Sequence, residues 1–99
     1  MSARANAKLI SILREAQGIL RRPENDFGWS KWDDAMTAVT EIDSHIAAIE
    51  RGDISKLSDL VLLFAPTSSI QEVSLSSGWG DEFLVLAARF DKAAAKVRS

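Results

Sequence analysis

Cysteine is absent from the 99 residues, so no disulfide, thiolate metal site or thiol nucleophile can form. Histidine occurs once, at His45, and a structural zinc set cannot be built in one chain from that alone. Tyrosine is also missing and proline occurs only twice, while alanine, leucine and isoleucine are frequent, a balance that favours helix over sheet. No apolar run approaches the roughly 18 residues of a membrane span. The first apolar segment is interrupted by Arg14 and Glu15, too early for a signal-peptide core. A mitochondrial presequence shares its amphipathic, arginine-bearing character, but the pattern reads as a first bundle helix. The expectation is a cytoplasmic chain with no membrane partner.

What is present fits an ordinary globular chain: 46% of the residues are apolar. A length of 99 residues gives a single helical domain, 1–99, because two halves would each be too small for a good core. The net charge of −2 hides an asymmetry. Residues 1–22 carry five bases against Glu15, residues 23–53 carry eight acids against Lys31 and Arg51, and the remainder balances. Complementary charge suits the first two helices as neighbours. Bases so close to acids make a weak field for a phosphate backbone, so nucleic acid is not an expected partner.

Apolar spacing predicts four main helices. Leu9, Ile12, Leu13, Ala16, Ile19 and Leu20 mark the first, over residues 3–20, which Pro23 stops. The longest apolar face belongs to residues 30–51, through Trp32, Ala35, Met36, Val39, Ile42, Ile46 and Ile49. That helix is the expected centre of the fold. Asp26 or Ser30 could cap it; Ser30 is preferred because Asp33 then stands at the third helical position. Gly52 ends it as a left-handed cap. Ile54, Leu57, Leu60, Val61 and Phe64 mark the third helix, widened by Leu62 and Leu63 and stopped by Pro66. Residues 67–80 read as a short helix with Ser69 and Glu72 at capping-box spacing, followed by a loop. The alternation of Val73 and Leu75 with serines also permits a strand pairing between subunits. Gly78, Trp79 and Gly80 form a hinge, Asp81 is a cap, and Phe83, Leu86, Ala87, Phe90, Ala94 and Val97 mark the last main helix. The fold class is therefore all-α: a small bundle of four main helices with a short extra helix or turn before the last.

Little in this chain resembles catalytic machinery, and no enzyme and no cofactor are expected. Ser74, Ser76 and Ser77 do not stand in a nucleophile-elbow pattern. A phosphate loop opening at Gly78 would need a third glycine where Phe83 stands. One constellation has chemical potential: on a continuous helix Asp34, Glu41 and His45 fall on one line, with Glu41 and His45 close enough to share a ligand. Carboxylates and an imidazole suit a divalent metal, but Asp34 would be roughly 10 Å from Glu41 along the axis. The plainer account is a solvated face carrying a Glu–His pair.

The other constellation is aromatic. Trp29 and Trp79 stand beside glycines, where indoles serve as binding anchors or fold back as plugs. In an up-down bundle both would lie at one end, with Asp26, Asp33 and Asp81 making it negative. The leading expectation is a non-enzymatic protein-interaction module. It would bind a basic protein through Trp29, Trp79, Asp26, Asp33 and Asp81, as a small acidic inhibitor of immunity type would, and would self-associate as a homodimer through Leu62, Leu63, Leu84 and Val85. The alternative is a small enzyme or a ligand- or metal-binding protein using Asp34, Glu41 and His45.

Overall fold

The computed structural model describes residues 3–66 and 68–98. Five helices follow one another: α1 (Ala3–Leu20), α2 (Ala35–Glu50), α3 (Leu57–Leu63), α4 (Ser69–Ser77) and α5 (Gly80–Arg98), with no strand among the described residues. The intersubunit strand considered for residues 67–80 is thereby corrected to helix over Ser69–Ser77; Thr67 lies outside the described residues.

The centre of the fold is α1, not α2. It packs against both α2 and α5, while α3 and α4 lean on α5. Its stripe Leu9, Ile12, Leu13, Ala16 and Leu20 is sealed from solvent. Polar bonds fix its two neighbours. Gln17, itself buried, donates from Nε2 to Val39 O at 3.0 Å and to Asp43 Oδ1 at 2.7 Å. Arg14 reaches the same carboxylate at 3.1 Å. On the other side Arg89 makes a two-pronged contact with Glu15 at 2.8 and 2.6 Å. The charge complementarity of residues 1–22 and 23–53 thus includes one α1–α2 ion pair.

Helix α2 begins five residues later than its apolar pattern suggested. Its cap is Asp34, whose Oδ1 accepts from Thr37 N at 2.9 Å and Thr37 Oγ1 at 2.8 Å. Ser30 is occupied elsewhere: its hydroxyl donates to Phe27 O and accepts from Trp32 N. A carboxylate that binds two donors of one threonine makes a better cap than a hydroxyl already spent on a loop turn. Trp32 stays in the core although it precedes the helix, whereas Met36 is 72% exposed because the buried stripe of α2 runs through Ala38, Ile42, His45 and Ile49.

The C-terminus of α2 is closed as its glycine suggested. Gly52 adopts φ 75°, its N–H bonds Ile49 O at 2.9 Å, and Asp53 N bonds Ala48 O at 2.9 Å, the paired pattern of a Schellman cap. The cap of α4 lies one residue before the expected Ser69, with Ser68 Oγ accepting from Gln71 N at 3.1 Å. It stops at Gly78, φ 85°, after which Trp79 N bonds Ser74 O. Asp81 lies inside the first turn of α5, which starts at Gly80, so it is not the cap expected from its position.

Candidate functional site

The middle of the loop 21–34 is tied to the two ends of α4. Asp26 N donates to Ser77 Oγ at 2.8 Å, and Lys31 N donates to Ser69 Oγ at 3.3 Å. Between these ties Trp29 stands 77% exposed. Trp79 does the opposite. It is 6% exposed, belongs to the core, and donates from Nε1 to Asn25 Oδ1 at 2.8 Å. The two indoles thus belong to one region, but Trp79 plugs it from within, and its expected role as an anchor on the surface is corrected accordingly.

Two concave surfaces meet at Arg22. One, of about 520 Å³, runs along the loop and includes Asp26, Asp33 and Asp34. The second, of about 620 Å³, brings Glu24 to Asp81 and Glu82. Six carboxylates therefore gather on this face against Arg21 and Arg22. Their engagement differs. Glu82 is taken by Arg22 through two contacts of 3.0 and 2.8 Å, which hold its carboxyl below the usual range. Asp34 is spent on its cap, and Asp26 Oδ1 accepts from Gly28 N. Glu24, Asp33 and Asp81 form no ion pair among the described residues.

The structure separates the expected Asp34, Glu41 and His45 line. Asp34 sits at the cap in extended conformation and faces Thr37. Glu41 accepts from Lys31 Nζ at 2.9 Å and Trp32 Nε1 at 3.2 Å. Burial works to raise its carboxyl, but the bonds from Lys31 and Trp32 outweigh that and hold it below the ordinary value. Among the described residues no group of three or more His, Cys, Asp or Glu side chains is placed to hold a metal ion, which corrects the metal alternative.

His45 is buried, at 7% exposure, so the solvated face expected for it is corrected as well. It is at the wall of a groove of about 520 Å³ between α2, α3 and the start of α4. Lys56 and Asp59, which the sequence reading passed over, share that groove. Their spacing of three on α3 was the one signal that paired them. Desolvation pushes the imidazole below 6.5, against the pull of Glu41 and Asp59. An NMR titration of the single histidine should therefore give a midpoint below 6.5. The sign follows: between that midpoint and 6.5 the unfolded chain binds the proton and the folded one does not. The contribution to stability is full above 6.5 and declines as pH falls through the folded midpoint. A midpoint above 6.5 would mean that the carboxylates, not burial, govern the ring.

No protein-family model matches the chain, and no curated protein or solved structure does either. Among the described residues no helix is long and apolar enough to cross a membrane.

Proposed function

We propose that this chain is a non-enzymatic protein-interaction module that presents its acidic face to a basic protein partner. The observation that supports the reading best is Trp29, 77% exposed between two hydrogen bonds that tie its loop to α4, with Asp26 and Asp33 beside it in sequence. A large indole on a tethered loop loses little entropy on docking, and surrounding carboxylates steer a basic surface toward it. A small inhibitor of immunity type would work this way; that comparison rests on size and charge and is analogy. The test starts from photo-crosslinking at position 29 to identify the partner, expected to be basic. Trp29→Ala and the double variant Asp26→Asn/Asp33→Asn should each weaken that complex about tenfold or more while leaving the melting temperature in place. Binding of the identified partner that is unchanged in both folded variants would reject the reading.

A second reading, self-association, is favoured by a specific feature. Leu62, Leu75, Leu84 and Val85 are each at least 62% exposed, and Leu75 lies beside Gly80, one turn before Leu84. Leu63 drops out of the proposed surface, because it is in the core at 5% exposure. A symmetric homodimer would cover such side chains. Light scattering over a concentration series should then give twice 10.8 kDa, and Leu84→Asp should return the monomer mass. A strictly monomeric particle at high micromolar concentration would reject this second reading.

A further inference from the structure

The acidic face leaves the groove beside His45 without a role. Three groups in it have unused bonding capacity. The His45 ring makes no hydrogen bond to any described residue, although only 7% of the residue is exposed. Its nitrogens are not sealed off either: among the described residues, the one sealed side-chain polar atom without a partner is Asn6 Oδ1. The ring is therefore reached by solvent, at one of the two hollows that His45 lines. Lys56, the cap residue before α3, and Asp59 in its first turn form no ion pair among the described residues, although Lys56 stands within electrostatic reach of Asp53. By contrast the wall opposite is closed, because Glu41 is held by Lys31 and Trp32.

These three groups restrict what can enter. A simple anion would gain Lys56 and meet Asp59. A simple cation would gain Asp59 and meet Lys56. Each would lose on one contact about what it wins on the other. A molecule that carries both charges on adjoining atoms satisfies both. The neutral imidazole offers one donor and one acceptor to a third polar atom, whose bond would end the cost of a buried ring without a partner. Leu62 and Leu63 add an apolar side to the groove, suited to a short aliphatic stem. The volume of about 520 Å³ lies within the range of small-molecule sites.

We infer that this groove binds a small zwitterion, a molecule with an ammonium and a carboxylate as in a free α-amino acid. The carboxylate meets Lys56 with one oxygen, the ammonium meets Asp59, and His45 donates to the second carboxylate oxygen. This site is separate from the acidic face around Trp29 and does not depend on its partner.

The only histidine is its own reporter, since its ring signals in an NMR spectrum belong to one residue. The twenty common α-amino acids are added singly to the folded protein at millimolar concentration, with sodium acetate and methylammonium chloride as the two halves of the zwitterion. At least one amino acid should move the His45 ring signals saturably, while acetate and methylammonium leave them in place. Lys56→Met and Asp59→Asn should each weaken that binding about tenfold or more, the usual cost of losing a charged hydrogen bond. Both residues are exposed, so their variants should melt with the wild type. Trp29→Ala should leave amino-acid binding unchanged, which separates this site from the acidic face. A response to none of the amino acids would overturn the inference. An equal response to acetate alone would overturn it too, in favour of a plain anion site, and so would retained affinity in both charge variants.

Discussion

Trp79→Ala should cost about 3–5 kcal/mol of folding stability and lower the melting temperature by more than about 10 °C. Trp29→Ala should stay within about 0.5 kcal/mol of the wild type. The two indoles differ in what surrounds them. The Trp79 ring is in the core with Phe83 and Val73, and its N–H satisfies Asn25, which in turn donates to Ile19 O at 2.8 Å. Deleting the ring leaves a cavity and removes a tie between the α4–α5 junction and the end of α1. Trp79→Phe separates the two losses. It keeps most of the apolar volume and forfeits the hydrogen bond, so it should fall between wild type and alanine, nearer the wild type. Trp29 makes no hydrogen bond to any described residue, and three quarters of its surface is already in water. Thermal unfolding of the three variants decides the matter. Equal losses for Trp79→Ala and Trp29→Ala would show that Trp29 is also a plug.

That contrast could not be read from the sequence. Both tryptophans stand next to glycines, and only the partner of Trp79 distinguishes them. Asn25 is 54 positions away, so its bond to the indole belongs to the packing of two loops and leaves no local pattern. What depends on neighbours within one or two turns was legible. The bounds of α1 follow from its stripe and Pro23, the end of α2 from Gly52, and the α4–α5 break from Gly78. Each is a backbone preference that acts over a few residues. The start of α2 was misread because the Trp32 ring is buried without being helical, which extended the apolar period past the true cap.

His45 shows a subtler version of the same limit. Projected on a helix that starts at Ser30, it lined up with Asp34 and Glu41 as if toward solvent. Measured against Ile42, Ile46 and Ile49, it stands at steps of three, one and four, within the buried stripe of α2. The local pattern therefore contained its burial, and its alignment with Asp34 and Glu41 obscured it. The groove contained a further element that no period reveals: the start of α3, seated on α5, places Lys56 and Asp59 in the same groove as the ring. Which outward charges of a short helix meet a neighbour is set by the turn at Gly52 and by how α3 is seated.

The seat of α3 is the subject of the second large effect. Phe90→Ala should cost about 3–5 kcal/mol, as deletion of a buried aromatic ring does. Phe90 is fully buried in α5, and Phe64, at the end of α3, stacks on it with ring centroids 4.0 Å apart and planes 6° from parallel. Seven residues are far too few to hold a helix on their own, so α3 depends on this stack and on Leu57, Leu60 and Leu63 in the core. Amide exchange should accordingly rise more in α3 than in α1. A double-mutant cycle with Phe64→Leu and Phe90→Leu should give a coupling of about 0.5–1.5 kcal/mol, the part that belongs to the ring pair itself. The loss should also be felt at the groove, since α3 supplies one of its walls. If Phe90→Ala lets α3 lift away, water reaches His45 and the desolvation that lowers its midpoint is relieved. The titration of the ring should then move up toward 6.5, with Phe90→Leu moving it less. A midpoint that stays where it was, in a Phe90→Ala protein shown to be folded but destabilised, would mean that α3 is seated by its leucines alone.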